Sequence, residues 1–525
     1  MYWNNLDTLK SFKEIKDKKK VDIKAVLDGD KGYDRVNKYS VKMAGNMKYN
    51  FAGKEIDDSL LDELQKLADE GELISKYEAV YNGEIVNTGE KRKVLHHLTR
   101  GQLGKDVVVD GVNKREFYEE QIKKMGDFSD KIHSGKLLNE DNEKYTTVVQ
   151  IGIGGSDLGP RAMYIALKNW AKVNHKDLMN AYFISNVDPD DAVNVLKTID
   201  IKKTIFVLVS KSGTTLETLT NMAFVMEKIK EQGLNPAKHM VVATSETSPL
   251  AHSDDFIEAF FMDDYIGGRY SSTSVVGGVV LSLAYGIDVF KEFLQGAHEE
   301  DEIAKNKNIL ENPELLDAVI GVYERNVLGY PCTAILPYSQ GLSRFPAHLQ
   351  QLDMESNGKS VNRFGEDIDY VTGPIIFGEP GTNGQHSFYQ LLHQGTDIVP
   401  LQFIGFKNSQ FKEDLTIEGS TSQEKLCANV AAQIVAFALG KDNENKNKNF
   451  KGKRPSSLIV GDELNPKTLG ILLAHFENKV MFQGFLWNIN SFDQEGVQLG
   501  KTLAKKVLAG NISGALLAYN EIFTK

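Results

Sequence analysis

From residue 145 onward, short runs of β-branched and apolar residues alternate with longer amphipathic segments. "YTTVVQIGIGG", "NAYFISNVDP", "KTIFVLVS" and "KHMVVATS" read as strands, and "DDAVNVLKTID" and "LETLTNMAFVMEKIKEQG" between them read as helices. Continuous apolar runs, rather than every-other-residue alternation, mark strands buried on both faces. The pattern therefore predicts an α/β fold with a parallel sheet covered by helices on both sides. A second block of the same texture begins near residue 330, with "PCTAILPYS", "GPIIFGEP", "IVPLQFIGF" and "SLIVGDELN" as strands and "LSRFPAHLQQLDMESNG" and "HSFYQLLHQG" as helices. "SVVGGVVLSLAYGIDVFKEFLQGAHEEDEIA", between the blocks, reads as buried helix. Residues 1 to about 130 read mainly as helix: "DSLLDELQKLADEGEL" repeats apolar residues at three- and four-residue spacings, and "DDSL" offers Asp and Ser as N-caps.

Composition narrows the function classes. Among 525 residues, 41% are hydrophobic and 25% charged, as in ordinary globular chains, and the formal net charge is -11. That balance argues against a nucleic-acid partner, which demands a basic face. The lysine runs near the start and at 441–454 are interspersed with acids or asparagines and read as solvated surface or loop. Two cysteines, Cys332 and Cys427, suit a reducing, cytoplasmic setting better than a disulfide framework. No stretch reaches the roughly 20 apolar residues that a membrane span needs. "DGDKGYD" at 28–34 hints at a calcium loop, but its glycines and closing acid are misplaced. No clustered Cys or His pattern suggests a metal ligand set, and no cofactor is expected.

The chemistry concentrates where predicted strands turn into helices. In a parallel sheet, ligands bind beyond the carboxyl ends of the strands. "SKSGTTLET" at 210–218 lies at such a point. Ser210, Ser212, Thr214 and Thr215 supply hydroxyls, Lys211 supplies charge, and Gly213 lets the backbone come close. A helix start favours an anion, so the stretch reads as a phosphate cradle; the plainer reading is a set of helix caps. "IGIGGSDLGP" at 151–160 has the same placement, with Gly155 and Ser156 at its centre and Asp157 where a dinucleotide fingerprint needs glycine. Together the two turns suggest a phosphorylated polyol held along the crevice.

Four further stretches carry groups able to move protons or stabilise charge. "QQLDMESNGKS" ends a helical pattern in Glu355, with Gln351 on the same face; alone it reads as well as a surface acid. "GTNGQHSFYQLLHQG" places His386 at a helix start, where imidazolium is disfavoured and a neutral, proton-accepting ring is expected; His393 reads as packed. "GGRYSSTS" offers Arg269, and "SFDQEGVQLGK" offers Gln494 and Lys501.

These blocks, in this order, resemble the glucose-6-phosphate isomerase (phosphoglucose isomerase) family, and the resemblance runs from about Lys91 to Lys505. It implies two αβα sandwich domains of the sugar isomerase type, here 131–300 and 301–510, with a helical N-terminal region over 1–130 and a C-terminal helical tail over 511–525. It implies reversible interconversion of glucose 6-phosphate and fructose 6-phosphate without metal or cofactor. By resemblance, Glu355 is the base that moves a proton between C1 and C2, Arg269 stabilises the enediolate, and His386 and Lys501 open the sugar ring. Ser210, Lys211, Ser212, Thr214 and Thr215 match the phosphate loop; Gly155, Ser156, Gln351 and Gln494 match further substrate contacts. Family members often carry a bulkier residue where Gly213 stands. The resemblance also implies a homodimer in which His386 crosses to the neighbouring subunit. Another sugar-phosphate isomerase, or a non-catalytic sensor of sugar phosphates, is the alternative.

Overall fold

The computed structural model describes all residues from Met1 to Lys525. Two sheets organise it. The five-stranded sheet contains β3 (Thr147–Ile151), β4 (Asn180–Ile184), β5 (Thr204–Val209), β6 (Met240–Ser245) and β7 (Ala259–Met262) in the order β7-β6-β5-β3-β4. Every pairing in it is parallel. Burial on both faces is visible in β5, where each residue of "TIFVLV" is buried. Ile205, Val207 and Val209 face a large central core. Phe206 and Leu208 face a smaller one closed by Val195, Val225 and Ile229 from the helices Pro189–Thr198 and Leu216–Glu231. The two-residue period of a strand thus feeds two different helix layers.

The six-stranded sheet joins β8 (Cys332–Pro337), β9 (Ile375–Gly378), β10 (Leu401–Phe406) and β11 (Ser456–Gly461) in parallel. It is extended by two strands from the N-terminal region, β1 (Ser40–Lys42) and β2 (Lys48–Asn50), in the order β1-β2-β11-β10-β8-β9. β2 runs antiparallel to β11, with Tyr49 opposite Ile459. The mainly helical N-terminal stretch therefore also contributes a sheet edge. Three residues per strand are too few to show a periodicity, and only pairing with β11 makes them strands.

Between the sheets lies a helical layer. The helix Pro466–Leu486 is buried along nearly its whole length, against Ile287–Ile303 and Pro313–Asn326. The segment read as one buried helix is two, Val275–Tyr285 and Ile287–Ile303, broken at Gly286 with φ +92°. The pseudo-calcium stretch is the N-cap Asp28 and the first turns of the helix Gly29–Lys38. Two C-terminal helices, Gln498–Leu508 and Gly514–Thr524, bury no residue and leave Leu499, Leu508, Ile522 and Phe523 exposed. No helix is long and apolar enough to cross a membrane.

Candidate active site

The carboxyl ends of β3 and β5 open into a cleft of about 770 Å3. Its walls bring together Gly155 and Ser156 from the first turn, Ser210, Lys211, Ser212 and Thr215 from the second, and Gln351, Glu355, Gln494 and Lys501 from the second half of the chain. The first turn is close-packed. A Cβ on Gly155 would stand 2.2 Å from the carbonyl of Gly268, so only glycine lets this turn lie on the backbone that carries Arg269.

In the hydroxyl-rich turn, Thr215 occupies the N-cap position of Leu216–Glu231, yet its side chain makes no capping hydrogen bond. Ser210 is buried and its hydroxyl has no partner. The hydroxyls of Ser212 and Thr214 lie 2.8 Å apart, and Thr214 is turned out of the cleft wall towards solvent. Thr215 and Ser210 are thus not consumed as helix caps, while the Ser212 hydroxyl accepts from the Thr214 N–H at 3.3 Å. Gly213 has φ +65°, and a Cβ there would meet the Ser248 hydroxyl at 2.3 Å, so the bulkier residue common in the family does not fit this loop as folded. Lys211 lies 3.8 Å from Asp264, which also pairs with Arg92 at 3.2 Å.

Arg269 stands behind the opposite wall, buried between its cleft-lining neighbours Gly268 and Tyr270 rather than lining the cleft itself. Its guanidinium is buried and donates to the Ser356 hydroxyl (2.6 Å), Glu355 Oε2 (3.3 Å), Gln494 Oε1 (3.5 Å) and the carbonyls of Ser491 (2.6 Å) and Asp493 (3.0 Å). A planar, permanently charged fork suits this many acceptors; a lysine could not reach them all. Glu355 itself is partly exposed to the cleft. It stands at the end of a π-helical turn, Gln351–Glu355, that interrupts the helix begun at Phe345–Gln350. The wider turn is a common device at functional sites, and here Gln351 and Glu355 both reach the cleft wall.

Behind these groups lies a support that the sequence reading did not single out. Asn357 accepts from Ser491 Oγ at 2.7 Å, and Lys359 Nζ donates to Asp493 Oδ1 at 2.6 Å. The "MESNGK" block therefore grips the 491–493 loop from which Gln494 projects. The only sequence signal was the cluster of polar residues flanking Glu355. His96 and His97 are buried, and His96 stacks on Tyr270 at 4.7 Å; burial holds His97 down to about 3. His393 stacks on Phe437 at 3.8 Å, as a packed histidine does.

His386 stands apart. It lies in a 3-10 turn, Asn383–His386, two residues before the helix Tyr389–Gln394, rather than at that helix's start. The expected helix-terminal environment is therefore not the one it has. The ring is exposed and outside the cleft. Lys501 lines the cleft from the exposed helix Gln498–Leu508.

The phosphoglucose isomerase family model matches residues 50–520. The chain is 62% identical over 526 residues to a glucose-6-phosphate isomerase of Treponema denticola, covering 99% of each. It is 52% identical over 510 residues to one of Borreliella afzelii, covering 96% of each. The crystal structure of a glucose-6-phosphate isomerase from Chlamydia trachomatis superposes with a TM-score of 0.93 at 42% identity, covering 99% of both chains. A match of this extent spans both sheets, the hydroxyl-rich turn and the Arg269–Glu355 wall together, and the chain belongs to the phosphoglucose isomerase family.

Proposed function

We propose that the protein interconverts glucose 6-phosphate and fructose 6-phosphate through ring opening and a cis-enediolate, as an enzyme of glycolysis and gluconeogenesis in the cytoplasm. The observation that carries this reading is Glu355, backed by the Arg269 guanidinium at 3.3 Å, in one cleft with the hydroxyl-rich turn. An aldose–ketose isomerisation needs a carboxylate to take the proton next to a carbonyl and a cation where negative charge develops. Glu355 fills the first role and Arg269 the second. Ser210, Lys211, Ser212 and Thr215 hold the phosphate, with Thr214 acting through its hydroxyl contact to Ser212, so that remote binding energy orients the reacting carbons. Gly155, Ser156, Gln351 and Gln494 position the sugar hydroxyls.

Ring opening falls to Lys501 and His386. His386 is exposed and lies outside the cleft of its own chain. Its position suits a homodimer in which the ring enters the cleft of a second copy, and the exposed apolar residues of the C-terminal helices supply a surface for such an arm to pack. The reaction uses no metal.

The test is a coupled assay of fructose 6-phosphate conversion, wild type beside Glu355→Gln, with a chelator present. Wild-type turnover that survives the chelator and falls by about a thousandfold in the variant is the expected result. Near-normal turnover in Glu355→Gln would remove Glu355 as the base.

A further inference from the structure

Away from the cleft, in the helical layer between the sheets, Glu300, Glu314 and His475 converge from the three helices Ile287–Ile303, Pro313–Asn326 and Pro466–Leu486. Each of the three is 0% exposed. Their ligand-type atoms lie within 4.8 Å of one another. Glu314 Oε1 and Oε2, Glu300 Oε1 and His475 Nδ1 have no hydrogen-bond partner. His475 Nδ1 and Glu300 Oε1 are 3.8 Å apart, beyond hydrogen-bonding distance. Four lone-pair-bearing atoms thus face one another in a dry interior, an arrangement that is unfavourable unless a cation or a shared proton lies among them.

The charge balance points the same way. Glu300, Glu314 and Asp317 bring three negative charges, and Lys479, which bonds Asp317 at 2.9 Å, brings one positive charge. The other buried cations nearby are engaged elsewhere, Arg100 by Asp301 and Glu477 and Lys54 by Glu324. With His475 neutral as a ligand, two charges are left for an ion to neutralise; without one, against its burial, Asp317 and Glu300 push His475 up, and burial and Glu300 push the Glu314 carboxyl well up. The atoms around the cluster are already oriented for a metal. His475 Nε2 faces Asp317 Oδ2 at 3.2 Å, the carboxylate–imidazole relay that presents the other ring nitrogen to an ion. Asp317 is in turn held by the Tyr49 hydroxyl (2.9 Å) and the Gln402 amide (2.6 Å), and Glu300 Oε2 is held by the Ala44 N–H at 2.7 Å.

We propose that Glu300, Glu314 and His475 form a structural site for one divalent transition ion, with zinc as the best match to its imidazole and carboxylate donors. Glu314, chelating through both oxygens, and Glu300 and His475 through one atom each supply the donors, three side chains from three helices. Two carboxylates and one dication leave the ligand set neutral. The ion staples three central helices to the turn between β1 and β2 that carries Ala44, and it takes no part in the isomerisation.

The test is elemental analysis of the purified, active full-length protein, produced in medium supplemented with zinc and manganese and dialysed against EDTA. The expected result is about one ion per chain, retained in the native state and released only on unfolding in guanidinium. Glu314→Gln and, as a second variant in case the first folds poorly, His475→Gln each lose the ion at least about tenfold while isomerase turnover stays within about twofold. Wild-type protein with less than about a tenth of an ion per chain overturns the site and leaves the two glutamates sharing a proton. Metal content unchanged in both variants overturns it as well. Loss of turnover in Glu355→Gln bears only on the cleft, so the two readings fail separately.

Discussion

The two sides of the cleft are held differently. Arg269, on one side, has five polar partners and a side chain 1% exposed. Lys501, by contrast, stands on a helix that buries none of its residues, and His386 is exposed on a separate 3-10 turn outside the cleft. A group that must meet a developing negative charge gains from being fixed before the reaction, because the environment then need not reorganise. Within one chain, the arm carrying Lys501 also lacks the apolar burial that would rigidify it, so its order depends on what packs against it.

Four substitutions sharpen this contrast. Arg269→Ala should reduce kcat/KM by about a thousandfold, because it removes the cation. It should also lower Tm by at least about 3 °C, because charged hydrogen bonds to Ser356 and to the 491–493 loop vanish. Lys501→Ala should lose about a hundredfold in activity with Tm unchanged. Equal thermal shifts in the two variants would break the distinction between a built wall and a loosely held arm.

A third change reads the wall's buried foundation. Burial pushes the Asp353 carboxyl up to about 7, opposed by Lys479 and a hydrogen bond from Asn357. A raised carboxyl pKa means that the folded state keeps its proton while the unfolded state releases one. Wild-type stability therefore falls relative to Asp353→Asn as pH rises from about 4 to about 7, then stays level. Denaturation curves at pH 5 and pH 8 should shift the difference by about 3 kcal/mol in favour of Asp353→Asn at the higher pH; a constant difference would show that Asp353 ionises normally.

The smallest effect is expected at the phosphate end. Asp264 faces Lys211 and competes there with any bound anion. Asp264→Asn should lower KM about threefold and leave kcat alone, since a half-exposed pair contributes up to about 1 kcal/mol. A raised KM would mean that Asp264 positions Lys211 instead of restraining it.

How much was legible beforehand follows from the range of each interaction. β3, β5, β6 and β10 are continuous apolar runs, so their strand character is written locally, as is the parallel class that such runs imply. β7, β1 and β2 escaped because short strands are defined by their partners. "HSFYQLLHQG" carried a helical pattern, but the turn that places His386 outside the helix depends on how 379–388 folds back on Tyr338 and Phe377. The π-helical turn at Gln351–Glu355 has no sequence signature, because its wider winding answers to packing on both sides.

By itself, the sequence determined the α/β class, the two alternating blocks, the strand-to-helix turns rich in Ser, Thr and Gly, and the residue types able to perform an isomerisation. Those are properties of neighbours in the chain. Only the tertiary structure decided that Arg269 would join Glu355 across 86 residues and Gln494 across 225. It likewise decided that Lys359 would clamp the loop at Asp493, and that Glu300, Glu314 and His475 would meet in the interior. Such encounters depend on which helix faces bury against which sheets, and burial is a property of the whole packed chain.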